Sequence, residues 1–152
     1  MLEQIDHVNF VVEDMEGMSA FYCDLLGLEI TKEVTISGDW VERVVGLKGV
    51  EGWVRYLDLP NGPRVELIKY RSPKGARPAD LDKPNTHGLR HLAFRVKDID
   101  AIGARLAERG LEFHSEVQAV PDAQVTYKGG VRKRLVYFHD PEGNLLELCE
   151  YT

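Results

Sequence analysis

The chain contains the same short phrase twice, and each copy places a histidine seven residues before an aspartate. Residues 5–14 read IDHVNFVVED and residues 89–98 read LRHLAFRVKD, so that His7 aligns with His91 without a gap. Imidazole nitrogens are common ligands for zinc, nickel, copper and iron. A single histidine in a strand is usually a hydrogen-bonded structural residue, but a duplicated one indicates a paired role.

A second pair of matching phrases repeats a glutamate in the same way. Residues 59–70 read LPNGPRVELIKY and residues 140–151 read DPEGNLLELCEY, which aligns Glu66 with Glu147. Two imidazoles and two carboxylates related by an internal duplication form a ligand set for one divalent metal ion.

Strand alternation predicts that the four candidate ligands point away from the apolar core. Side chains along a strand alternate between its two faces. In the first strand Val8, Phe10 and Val12 suit packing on a helix, which leaves His7 and Asn9 on the opposite face. If each half forms a curved sheet with its helix on the convex side, the concave faces carry all four ligands, and two such sheets would enclose one cavity. Burying two carboxylates there is costly unless a cation lies between them.

Each half of the chain reads as a strand, a helix and then three strands. Asp14 and Asp98 are predicted helix N-caps, and Gly27 and Gly110 are predicted helix ends. The predicted strands lie at about 5–12, 28–35, 52–58 and 63–70 in the first half, and at about 89–96, 111–118, 131–138 and 144–151 in the second.

Two segments break the symmetry of the duplication. Residues 36–51 are inserted between strands and include a short helix in our interpretation. Residues 71–88 are rich in Pro, Lys and Asp with few bulky apolar side chains, which is typical of a linker.

Composition excludes several classes of partner. The chain has 152 residues, 43% of them hydrophobic, which is enough for one compact domain built from two halves. A net charge of −6 argues against a nucleic-acid-binding face. No apolar run has the length of a membrane span, and the N-terminus lacks the features of a signal peptide, so we expect a cytoplasmic protein acting on a small molecule.

These phrases together resemble the vicinal oxygen chelate superfamily, which includes glyoxalase I, methylmalonyl-CoA epimerase, extradiol dioxygenases and the bleomycin resistance proteins. The resemblance covers essentially the whole chain as one domain, with modules at about 4–70 and 89–152 and a linker at about 71–88. It implies an α+β fold of two tandem βαβββ modules, forming an open, cup-shaped eight-stranded mixed sheet with helices on the outside. It also implies a homodimer.

The resemblance places the metal ligands at His7, Glu66, His91 and Glu147. Two histidines and two glutamates are similar to the bacterial glyoxalase I pattern, whereas dioxygenases use two histidines and one carboxylate. The metal would be Zn, Ni, Co, Mn or Fe, and the donor set does not choose among them.

The expected activity is that of a metal-dependent isomerase, epimerase or lyase. A carbonyl or thioester substrate would chelate the ion, which stabilises an enediolate or enolate while a carboxylate moves a proton. The resemblance favours Glu147 as the base, and the symmetry of the duplication makes Glu66 nearly equal to it. The alternatives are an Fe(II) extradiol ring-cleaving dioxygenase and a non-catalytic binding protein of the bleomycin resistance type.

Several further side chains are candidates for contacts with the substrate. Asn9 and Arg95 share strand faces with the histidines, and basic residues near 127–134 could hold a carboxylate, thioester or phosphate group. The candidates are Asn9, Arg95, Trp40, Arg43, Lys128 and Arg134.

Overall fold

The computed structural model describes residues 1–124 and 128–152. The chain divides into two compact units, Met1–Arg77 and Pro78–Thr152. Within the described residues, each unit contains one four-stranded mixed sheet, and each repeats the order of strand, helix and three strands. The predicted βαβββ modules are therefore confirmed.

The first unit begins with strand β1 and the helix that follows it. Its elements are β1 (His7–Val11), α1 (Met15–Ala20), a π-helical turn (Phe21–Leu25), β2 (Glu29–Ser37), α2 (Asp39–Val45), β3 (Glu51–Asp58) and β4 (Arg64–Ser72). Strand β4 lies between β1, its parallel partner, and β3, and β3 pairs with β2 at the other edge. The short helix expected within 36–51 is α2.

The predicted cap and stop of the first helix are both present. The Asp14 carboxylate accepts a hydrogen bond from the Gly17 amide at 3.1 Å, and Gly27 adopts a left-handed φ of 83° after the last turn. In that turn the Leu26 amide donates to the Phe21 carbonyl, five residues back, which widens the helix. The most buried apolar side chains of this unit are Met15, Met18, Tyr22, Leu57 and Leu67.

A buried arginine ties three elements of the first unit together. Arg55 on β3 donates to both carboxylate oxygens of Glu16, to Ser19 on α1 and to Glu33 on β2, at 2.6–3.0 Å. Because these partners neutralise its charge, the guanidinium is held on the helix-bearing face of the sheet with little exposure.

The second unit repeats the arrangement without a counterpart of α2 among its described residues. Its elements are β5 (His91–Arg95), α3 (Ile99–Glu108), β6 (Gln118–Ala119), a 3₁₀ turn (Lys128–Gly130), β7 (Lys133–His139) and β8 (Leu145–Tyr151). Strand β8 lies between β5, its parallel partner, and β7, and β7 pairs with β6. Asp98 caps α3 by accepting from the Ala101 amide, as predicted.

The strand predicted near 111–118 is much shorter than expected. Only Gln118–Ala119 forms a ladder, opposite Leu135 and Arg134. Before it, Phe113 makes one isolated bridge to Phe138 and packs its ring against that side chain. The segment is therefore held by an aromatic contact rather than by continuous strand pairing.

Among the described residues, no helix combines the length and the apolar character needed to cross a membrane.

Candidate metal centre

Strand pairing in the first unit brings His7 and Glu66 together. Asn9 on β1 is in register with Glu66 on β4, so both side chains and that of His7 share the face without the helix. The His7 Nε2 atom lies 3.5 Å from Glu66 Oε2, and the Asn9 amide donates to the same oxygen at 3.0 Å. The shared face predicted for these three residues is the one observed.

The other nitrogen of the His7 ring is held by an acidic neighbour. His7 Nδ1 lies 2.8 Å from Asp6 Oδ2, and this hydrogen bond lowers the pKa of the Asp6 carboxyl. A carboxylate on Nδ1 favours a proton there, which makes Nε2 the ring nitrogen suited to bind a metal ion. This is the arrangement that orients a metal-binding imidazole.

The second unit repeats the pair on the equivalent strands. His91 Nε2 on β5 lies 3.3 Å from Glu147 Oε2 on β8. The Glu147 side chain is 3% exposed and that of Glu66 is 10% exposed, whereas the two imidazoles are more than a third exposed. Each unit thus presents a partly exposed imidazole beside a buried carboxylate.

A tyrosine lies directly across from each glutamate, and neither tyrosine was predicted from the sequence. Tyr56 on β3 is in register with Glu66, and Tyr137 on β7 is in register with Glu147. A hydrogen bond with Glu66, together with burial, raises the pKa of Tyr56 to about 12. Burial and the negative charge of Glu147 likewise raise the pKa of Tyr137.

A signal for these tyrosines was present in the sequence. Aligning LPNG with DPEG matches Glu66 to Glu147, and the same alignment matches Tyr56 to Tyr137. Both phenols remain neutral near neutral pH and can donate to the carboxylates, which fixes the orientation of the glutamates.

The two glutamates differ in their remaining partner. In the second unit the Lys133 ammonium on β7 lies 2.8 Å from Glu147 Oε1, and no described residue meets that oxygen in hydrogen-bond geometry. Burial alone would lower the pKa of Lys133, but the contact with Glu147 more than offsets burial and raises it. Glu66 has the neutral amide of Asn9 instead.

The other predicted substrate contacts fall in different places. Arg95 lies on the same face as His91, with its guanidinium 5.2 Å from the centre of the Tyr151 ring. Trp40 and Arg43 lie on α2, where the tryptophan is 54% exposed and the Arg43 guanidinium lies 3.9 Å from the Asp39 carboxylate.

Of the two basic candidates from the segment near 127–134, Arg134 lies away from the centre and Lys128 is not tested. Arg134 points to the helix-bearing face, where it donates to both oxygens of Asp100 at 2.6 and 2.8 Å and reaches Glu150 at 3.4 Å. Glu150 in turn accepts from the first amides of α3, so Arg134 stabilises the start of that helix. We therefore leave Arg134 out of the site. The side chain of Lys128, like residues 125–127, lies outside the described part of the chain.

Each unit by itself supplies two candidate ligands. Among the described residues no group of three or more His, Cys, Asp or Glu side chains is gathered for a metal ion. The pairs are His7 with Glu66 and His91 with Glu147.

Paired βαβββ modules with a histidine and a glutamate on equivalent strands define a class of protein, and comparison with known proteins supports the same class. The family model described as Glyoxalase/Bleomycin resistance protein/Dioxygenase superfamily matches residues 4–148. The chain belongs to this superfamily, which includes many enzymes and whose members typically bind a divalent metal ion.

Relatives from two bacteria align over nearly the full chain. The uncharacterized protein YaeR of Escherichia coli is 32% identical, covering 98% of this chain and 97% of that protein. The uncharacterized protein YwkD of Bacillus subtilis is 31% identical, covering 99% and 98%. A solved glyoxalase family protein from Bacillus cereus superposes with a TM-score of 0.80 at 29% identity, covering 99% of this chain and 95% of that one.

Proposed function

We propose that this protein is a metal-dependent isomerase, epimerase or lyase that moves a proton in a small carbonyl or thioester substrate. The observation that carries the proposal is the duplicated His–Glu pair, with Nε2–Oε2 separations of 3.5 Å and 3.3 Å on equivalent strands of the two units. Superfamily membership supports it.

The residues present fit a divalent cation. His7, Glu66, His91 and Glu147 offer two imidazole nitrogens and two carboxylates, which suits Zn, Ni, Co, Mn or Fe. Glu147 Oε1 is buried without a partner in hydrogen-bond geometry in the described part of the chain, and its ion-pair partner there is the Lys133 ammonium. An anion so placed is stabilised by positive charge.

A complete ligand set in this proposal takes one His–Glu pair from each of two modules. The modules belong either to one chain or to two copies of it. We propose a homodimer, because members of the superfamily often form dimers. We also propose that it acts in the cytoplasm, as expected from the sequence.

When bound, the ion supplies Lewis-acid chemistry, polarising the substrate carbonyl and offsetting the charge that develops on its oxygen. The chain's own residues do the rest. Either Glu66 or Glu147 accepts the proton from the carbon next to the carbonyl and returns it to a carbon of the product. Tyr56 and Tyr137, as neutral donors across from the glutamates, hold the carboxylates in position.

Metal analysis tests the ligand set. Protein purified without chelator should contain a stoichiometric divalent metal, and the variants Glu66→Ala and His91→Ala should lose it because each removes one donor. The matched controls are Glu29→Ala and His87→Ala, which remove exposed residues of the same types and should retain the metal. Full retention of metal in Glu66→Ala would contradict the four-ligand set.

Proton transfer is tested by hydrogen exchange in heavy water. The loaded protein is incubated with CoA thioesters and glutathione adducts of 2-oxoaldehydes, and exchange at the carbon next to the carbonyl is followed by NMR. We expect exchange that is lost in Glu147→Gln or Glu66→Gln. Iron content with oxygen uptake on catechols would instead identify a dioxygenase, and stoichiometric ligand binding that persists in Glu147→Ala would identify a binding protein.

A further inference from the structure

The face that carries the His–Glu pair is not equally charged in the two units. The alignment that matches the histidines also matches Arg95 to Val11, and the alignment that matches the glutamates also matches Lys133 to Gly52. Two positions that are apolar or small in the first unit are therefore cationic in the second.

The two cations of the second unit flank one aromatic ring. Lys133 is in register with Tyr151 across β7 and β8, and its Nζ atom lies 5.8 Å from the centre of that ring. Arg95, in register with Cys149 across β5 and β8, places its guanidinium carbon 5.2 Å from the same centre. Lys133 and Arg95 thus approach one ring from strands on either side of β8.

The charge of Arg95 is less compensated than those of the neighbouring basic residues, and the charge of Lys133 depends on a single carboxylate. Arg132 pairs with Asp122 and Arg134 with Asp100, whereas Arg95 takes part in none of the ion pairs found in residues 1–124 and 128–152. The only carboxylate that pairs with Lys133 in that part of the chain is Glu147. Together, Lys133, Arg95 and Glu147 carry one net positive charge as long as Glu147 stays paired with Lys133.

Any cation that engages Glu147 competes with Lys133 for it. The Lys133 side chain is only 18% exposed, and a largely buried ammonium that loses its counter-charge is destabilised. An anionic group that binds beside the Tyr151 ring, in contact with Lys133 and Arg95, would restore the balance, because both residues are strong donors to carboxylate and phosphate oxygens.

We propose that Lys133 and Arg95 form a binding site for an anionic group of the substrate, a carboxylate or a phosphate. The substrate class is then a carbonyl compound that carries a second, negatively charged group. This inference rests on the proposed function only in taking the occupant to be the substrate of the same site.

The test uses chelator-treated protein, so that it does not depend on metal. Inorganic phosphate and acetate are titrated at constant ionic strength into the wild type and into Glu147→Gln, and binding is measured by calorimetry. Removing the competing carboxylate should raise the affinity for phosphate or acetate by about tenfold. The preferred probe distinguishes a phosphate from a carboxylate site.

The gain in affinity for phosphate or acetate must depend on Lys133 and Arg95. In the Glu147→Gln background, adding Lys133→Met or Arg95→Gln should abolish it, whereas Lys97→Met, which removes one exposed lysine two residues beyond Arg95, should leave it intact. Thermal unfolding confirms that each variant is folded, and the Arg95→Gln arm, at an exposed position, remains informative if the Lys133 variant does not fold.

An unchanged affinity in Glu147→Gln, or a gain that survives Lys133→Met or Arg95→Gln in a folded variant, would overturn the proposal. Because no metal is present, either result is independent of whether the four-ligand set is correct. Conversely, if the protein binds no metal but shows the predicted anion affinities, the proposed metal-dependent function is wrong and the anion site is supported.

Discussion

The chemistry of this chain depends on which partner each buried carboxylate has. Glu66 is contacted by a histidine, an amide and a phenol, whereas Glu147 is contacted by a histidine, a phenol and an ammonium. The duplication preserves the imidazole and the tyrosine and changes the third partner. That difference places a positive charge beside the glutamate of the second unit, so the two equivalent glutamates have different surroundings.

The contact between Asp6 and His7 gives a prediction about metal affinity. Asp6→Asn should weaken binding at the His7 site by about 10- to 100-fold, because the ring loses the carboxylate that sets its tautomer and basicity. Competition with a chelator of known affinity measures the change. The equivalent position before His91 is occupied by Arg90, so we expect Arg90→Gln to have a smaller effect. Equal weakening in both variants would argue against the orienting role of Asp6.

A second residue-scale prediction concerns pH. His114 Nε2 lies 3.1 Å from His139 Nδ1, and burial together with the charge of His139 lowers the pKa of His114 below 6.5. A lowered pKa in the folded state means that the unfolded chain binds more protons in this range. The contribution of His114 to stability is therefore complete above pH 6.5 and decreases as the pH falls from 6.5 through its folded pKa.

Denaturant unfolding at several pH values checks this dependence. His114→Gln should show a weaker decline in the free energy of unfolding below pH 6.5 than the wild type. The control is His87→Gln, at an exposed position, which should follow the wild-type curve. Identical slopes in all three proteins would rule out His114 as the source.

At the scale of elements, ion pairs position the helices on their sheets. Arg55 joins α1, β2 and β3 in the first unit, and Arg134 with Glu150 joins β7, β8 and the start of α3 in the second. In both units the helix lies on one face of the sheet, which leaves the other face for the His–Glu pair.

Removing the Arg55 side-chain charge should loosen the first unit. Arg55→Met keeps the aliphatic stem but loses four hydrogen bonds to Glu16, Ser19 and Glu33, and we expect a loss of about 1.5–3 kcal/mol in the free energy of unfolding. Arg43→Met removes the exposed 3.9 Å pair with Asp39 and should cost less than about 1 kcal/mol. Urea unfolding measures both, and equal losses would contradict the structural role of Arg55.

At the scale of the whole molecule, the four proposed metal ligands are divided between the two compact units, two in each. Adding the metal that copurifies should raise the free energy of unfolding by about 2.7 kcal/mol at a free concentration 100 times its Kd. Thermal unfolding with and without metal measures the effect. Glu66→Ala and Glu147→Ala, although in different units, should both abolish the rise. A rise that only one of them abolishes would indicate a site built within a single unit.

Much of this architecture was accessible from local patterns. The repeat, the strand–helix–strand order and the capping residues Asp14 and Asp98 depend on short stretches of chain, and the structure confirms them. Alternation along a strand is equally local, so the face shared by His7 and Asn9 could be predicted. The extent of β6 could not be predicted in this way, because the contact of the Phe113 ring with the Phe138 ring replaces continuous strand pairing there.

The sequence by itself determined that two histidines and two glutamates recur on equivalent strands, because the repeat is visible in the residues alone. It also determined which face they share, since the period of a strand is a property of its own backbone. Only the tertiary structure decided what stands beside them. Cross-strand register joins residues distant in the chain, and it placed Tyr56 opposite Glu66 and brought Lys133 to Glu147. One residue further along β7, the pleat turns Arg134 to the opposite face, so adjacent basic residues of similar chemistry have unrelated roles.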